Sequence, residues 1–232
     1  MTTVEVPDGL GVVAVLGNDF ASLLCLGGQP AVLHAHDCHG SVGQLAARAE
    51  PGAVRPADLD ALRDWLAAPG LNPRRPPPAG PLAPLLRLLA PGRYTLALST
   101  PGWQELPVLD PAPGAAASWY WPTQGDALVV TDHWPPRDQA TVESYRARIS
   151  GGARPAAVVV RAPGGGPRYL VDGHHKLAAY RRTHVRPLLI EIAPEKPMPL
   201  RREEFAAAVP PAQAKAFAAP LDDWTYSVPS SQ

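Results

Sequence analysis

The sequence predicts an α/β protein: a helix–strand–strand–helix–strand unit over residues 138–192, preceded by an appended α+β region. One basis is the segment DQATVESYRARI, 138–149, in which Val142, Tyr145 and Ile149 recur on one helical face. Another is the pair of apolar runs 156–161 and 168–171, separated by the glycine turn 164–166, which predicts two adjacent strands. The third is the junction at Asp172-Gly173. There the apolar run stops, 174–182 takes up a helical pattern, and a further strand follows over 186–192.

The elements follow in order from local chemistry. Residues 12–16 (VVAVL), 21–26 (ASLLCL) and 31–36 (AVLHAH) predict short strands, divided by Gly17-Asn18-Asp19 and Gly27-Gly28. Residues 41–49 predict a short helix. A longer one is predicted over 56–68, with Ala57, Leu59, Leu62, Trp65 and Leu66 on its apolar face. The stretch 72–81 holds five prolines, which lack the helical donor and clash with the preceding turn, so it is a connector. A helix over 82–89 and a strand over 93–98 come next, then a second connector over 110–117 and a strand over 127–131. Thr141, rather than Asp138, is the expected cap of the helix at 138–149, and Gly151-Gly152 ends it. A helix is expected over 202–208. Residues 209–232 read as loosely held, with Trp224 and Tyr226 offering some docking. A boundary near 110–118 would divide the chain into an appended domain, 1–117, and the unit 118–232.

Composition narrows the function classes. The 232 residues are 46% hydrophobic, enough for a core, and the 30 prolines and 20 glycines point to long connections. Basic and acidic residues balance at 21 each, which speaks against a nucleic-acid partner, since such proteins present a basic face. No basic leader with an apolar segment and no run of 18 apolar residues is present, so a cytoplasmic protein without a membrane partner is expected. Cys25 and Cys38 alone do not make a disulfide framework.

The polar groups at the junction carry the candidate chemistry. A helix start presents backbone donors and a positive potential, and so favours anions. Gly173 lets a ligand approach the backbone closely. Lys176 supplies a mobile cation. His174 and His175 can donate, accept or titrate near neutrality. Asp172 could bind a metal, orient a histidine or cap the helix. A plain Asp-Gly turn followed by two surface histidines is the alternative.

The segment 131–192, with VESYRARI, GGARPAAVVV, YLVDGHHKLAAYRR and VRPLLIEI in succession, resembles the ParB/sulfiredoxin-like superfamily. Its DGHHK segment is closest to the histidine-containing variant of ParB-like free-serine kinases. The resemblance spans about a quarter of the chain. It implies that the loop and helix start hold the phosphates of ATP, ADP or CTP, with magnesium sharing the work. Where sulfiredoxins carry their catalytic cysteine this chain has His174, so sulfinic acid repair is not expected. The partition proteins have Gly-Glu-Arg-Arg where this chain has Gly173-His174-His175-Lys176, and their helix-turn-helix domain and centromere binding are not expected here. On this resemblance Asp172, His174, His175 and Glu143 are the catalytic candidates, with Asp132 a second possible acid. Gly173, His174, His175, Lys176 and Arg154 would bind the cofactor, and Asp172 the metal. The implied activity is a nucleotide-dependent phosphotransferase or hydrolase acting on a small molecule. The alternatives are a non-catalytic nucleotide-binding regulatory module and a DNA-associated or nuclease-like protein.

Two other clusters stand out. HAHDCH places His34, His36, Asp37, Cys38 and His39 together, metal-binding residue types without a standard zinc spacing; a polar strand end is the expected reading. Trp119, Tyr120, Trp121 and Trp134 are expected to fill a seam rather than stack on a ligand. The first half has no role legible in the sequence; selecting a substrate, binding a partner and forming a homodimer are the open alternatives.

Overall fold

The computed structural model describes residues 1–37, 43–49, 79–112, 115–120 and 127–224. The predicted helix at 56–68 and residues Cys38, His39, Trp121 and Tyr226 lie outside them.

Two sheets stack through a shared apolar layer. The larger has seven strands in the order β1 (Thr2–Val6), β6 (Gly92–Ser99), β12 (Leu189–Pro194), β10 (Ala157–Val160), β11 (Arg168–Asp172), β9 (Leu128–Val130) and β7 (Val108–Leu109). The smaller is antiparallel, in the order β2 (Val13–Gly17), β3 (Ala21–Leu26), β4 (Gln29–His36), β5 (Gly43–Arg48) and β8 (Ala117–Tyr120). Side chains alternate across a strand, so each sheet has two working faces. Val4, Val15, Leu24, Val32, Val158, Tyr169, Val171 and Ile190 fill the layer between the sheets. On the far side of the larger sheet, Val159, Leu170 and Leu189 pack with Leu177 of α3 (His174–Thr183). Next to α3 lies α2 (Gln139–Ser150), joined to it through Val142, Tyr145, Ile149, Ala179 and Tyr180. On the far side of the smaller sheet, Leu23, Leu33 and Ala47 pack with Phe205 of α4 (Arg202–Ala208) and with Phe217, which precedes α5 (Ala218–Asp222). The chain is thus a mixed α/β protein in which α1 (Ala79–Leu86) packs Leu82, Leu85 and Leu86 into the layer between the sheets, while α2 to α5 lie on their outer faces.

Most predicted elements of 127–208 appear within a few residues of their expected bounds, and α4 matches its span. Residues 43–48 form a strand rather than part of a helix. Its alanines suit either state locally, and pairing with both β4 and β8 decides the matter. The cap of α2 is Asp138, whose Oδ1 accepts the Thr141 amide at 3.0 Å. Within 209–224 the expected docking of Trp224 is present: its ring lies 5.1 Å from that of Phe205, centre to centre. Strands β1, β6 and β7 belong to the sheet formed by the second half, and β8 to the sheet formed by the first. A division at 117/118 therefore passes through both sheets. Among the described residues, no helix is long and apolar enough to cross a membrane.

Candidate functional site

Strand β11 delivers Asp172 to the sheet edge, and Gly173 turns the chain into α3. Gly173 has φ +106°, a conformation side chains disfavour. A Cβ there would also lie 2.6 Å from Ala157 Cβ. Close strand packing therefore demands this glycine, whereas the sequence suggested close ligand approach. The Leu177 amide donates to the Gly173 carbonyl at 2.8 Å, the first turn of α3. The amides before it, from His174 to Lys176, are those that have no acceptor within a helix.

Lys176 is not a mobile cation. It is 1% exposed, and its Nζ donates to Asp172 Oδ2 at 2.7 Å and to the Ala156 carbonyl at 2.9 Å. The pair pins the end of β11 and the start of α3 to β10. Asp172 does not fit the magnesium role either, because it is 3% exposed and already holds an ammonium group. Among the described residues no group of three or more His, Cys, Asp or Glu side chains is placed to hold a metal.

The histidines divide. His174 is buried, and its Nε2 accepts the Asp132 amide at 3.2 Å, so in the neutral ring Nδ1 carries the proton. His175 is half-buried and faces the start of α2. The Asp138 carboxyl there lies below the ordinary carboxylate range, chiefly through hydrogen bonds from Thr141, with the His175 charge a smaller cause. Together with Thr141 and Tyr145, residues 172–176 line a recess of about 20 Å³. That is space for one water-sized group, such as an ordered water or a single oxygen of an anion.

The remaining candidates lie elsewhere. Glu143 is exposed and paired with Arg182 at 2.7 Å and Arg146 at 2.6 Å, outside the recess. Arg154 donates to the carbonyls of Ile149 and Ala153, at the C-terminal end of α2. Asp132 also reaches the site: its amide donates to His174 Nε2, and its Oδ1 accepts the His133 amide. No local motif marks Arg48. It comes from β5, in the other sheet, pairs with Asp110 at 2.6 Å and donates to the Asp132 carbonyl. Only the tertiary fold brings it within one residue of His174.

The histidine cluster of β4 is structural where described. His34 is fully buried, 3.3 Å from Ser22 Oγ and 2.8 Å from Gln44 Oε1, and it packs on Trp119. Ser22 Oγ lies 2.7 Å from the Tyr169 hydroxyl. One direction satisfies every group: Tyr169 donates to Ser22, Ser22 to His34 Nδ1, and His34 Nε2 to Gln44. Burial pulls the His34 pKa down to about 3. His36 Nδ1 and Asp37 Oδ1 are buried without a hydrogen-bond partner among the described residues. Trp119 is 2% exposed and fills the layer between the sheets, as a seam residue should.

Comparison with protein-family models, curated proteins and solved structures returned no match.

Proposed function

We propose that the start of α3 is a binding site for the phosphate of a small ligand, and that the protein acts as a phosphate-ligand-binding module. One observation carries this reading: the recess beside residues 173–176 is walled by two histidines, Thr141 and Tyr145 at the start of α3, and a helix start favours anions. Its size admits one phosphate oxygen and leaves the rest of the ligand outside. ATP, ADP and CTP are the first candidates, because the sequence of 131–192 resembles that of the ParB/sulfiredoxin-like proteins. Lys176 acts here as a structural pin, so phosphate recognition falls to the amides and to His175.

A second reading, nucleotide-dependent phosphotransfer or hydrolysis, draws on Asp132. Its amide donates to His174, which brings it to the site, and its carboxylate is not the one that holds Lys176. In that case Asp132, rather than Glu143, would take the proton of an acceptor hydroxyl.

Melting curves with inorganic phosphate, ATP, ADP and CTP test the site. A rise with at least one of them, reduced in His175→Ala, is expected. No rise with any of the four overturns the binding reading. Nucleotide turnover that disappears in Asp132→Asn would favour the enzymatic one.

A further inference from the structure

Strand β1 lies at one end of the larger sheet and pairs with β6 on one side, so its outer edge is open among the described residues. Two other sheet edges differ. β7 has only two residues, and β2 is covered by bonds from its Val13 and Gly17 amides to the Leu88 and Met198 carbonyls. β1 is also unguarded from within. Its five residues, TTVEV, include no lysine and no proline, and its register with β6 runs without a bulge, so three devices that keep edges from pairing are missing. Four of the five are β-branched, the residue type that favours strands.

The surroundings leave room for a further strand. A cavity of about 590 Å³ runs beside residues 4–8, walled on its other side by Ala83 and Leu86 of α1 and by Arg87. The two most exposed large hydrophobic side chains among the described residues lie at the ends of this edge. Met1, 85% exposed, precedes β1, and Leu10, 54% exposed, follows it. Apolar groups left in water at both ends of an open edge are covered when that edge pairs.

We propose that a second copy of this chain pairs with the edge, joining two β1 strands antiparallel about a two-fold axis into one continuous sheet. Such an interface must be self-complementary. The register that pairs all five residues puts the axis at Val4, so Thr2 lies opposite Val6 of the partner and Thr3 opposite Glu5. No charge then meets its own copy. Glu5, which stands 3.8 Å from Arg93 within its own sheet, meets a threonine across the axis. An axis at Glu5 would oppose two carboxylates, so charge selects against that register. The Val4 register also brings Met1 of each copy opposite Pro7 of the other, toward Leu10. The pairing involves none of residues 172–176 and is independent of the phosphate reading.

Sedimentation of the full chain at rising concentration, together with hydrogen exchange of its backbone amides, tests this. The expected result is a monomer–dimer equilibrium in which amides within 2–6 gain protection as the dimer forms. Thr3 is exposed, its hydroxyl donating to Glu195 Oε1 at 3.0 Å, and it is the position to vary. Thr3→Glu sets a like charge against Glu5 twice across the axis and should weaken the dimer about fivefold. Thr3→Lys creates two opposite-charge pairs and should strengthen it by a similar factor. If Thr3→Glu does not fold, Thr3→Lys and the exchange pattern decide. A chain that stays monomeric at every concentration overturns the proposal. So does a dimer that leaves 2–6 unprotected, or a change of the same sign in both variants. Protection of 2–6 at constant monomer mass would assign the edge to another segment of the same chain and overturn it equally.

Discussion

Strand β11 anchors two buried polar assemblies, one on each face, and they are built on different physics. Toward the smaller sheet, Tyr169 begins a neutral chain through Ser22 and His34 to Gln44. Toward the helices, Asp172 holds the charge of Lys176. Every donor in the neutral chain has an acceptor, so burial carries little penalty. The ionic pair removes two charges from water, and their attraction offsets that loss only while both are present. One assembly should therefore tolerate the loss of a member, and the other should not.

The largest expected effect is at Lys176. Lys176→Met strands a buried carboxylate and should cost about 3–5 kcal/mol in urea unfolding. Adding Asp172→Leu should recover much of that loss. If the double variant is as unstable as the single, the pair is not the source of the sensitivity.

Acid separates the assemblies next. Unfolded His34 takes up a proton near pH 6.5, while the folded ring resists it down to about 3. Its contribution is complete above pH 6.5 and is lost as pH falls toward 3. Between pH 7 and pH 5 this amounts to about 2 kcal/mol. His34→Gln should flatten the stability–pH profile by about that amount; an unchanged slope would contradict the buried neutral imidazole.

A smaller effect comes from shortening the neutral chain. Tyr169→Phe removes one donor and leaves Ser22 still donating to His34, a loss of about 1 kcal/mol by chemical denaturation. The smallest is expected at Glu143. Glu143→Gln breaks exposed pairs and should change stability by less than about 0.5 kcal/mol. It should also leave any phosphate-ligand response intact, since Glu143 lies outside the recess.

The contrast also shows what sequence can reveal. The elements of 138–192 were legible because period and turn chemistry are local: Val142, Tyr145 and Ile149 declare their helix without help from elsewhere. The location of the junction was legible for the same reason. Its internal arrangement was not. Nothing local says that Lys176 folds back onto Asp172 and the Ala156 carbonyl, because Ala156 is supplied by another strand. Arg48 was invisible, as it reaches Asp132 only through the stacking of two sheets. Strand β5 was misread because Ala46 and Ala47 have no strong strand preference, and only their neighbours β4 and β8 settle their state.

The pairing of Leu96 with Ile192 has a consequence during synthesis. Strand β6 leaves the ribosome long before β12 is made, and β12 is the neighbour that joins it to the centre of its sheet. Until then the nascent chain carries β1 and β6 as a two-stranded ribbon with an open edge, and such ribbons are marginal in water. Final assembly must therefore wait for the last third of the chain, and a truncated product ending before Leu189 would display that edge to any strand it met.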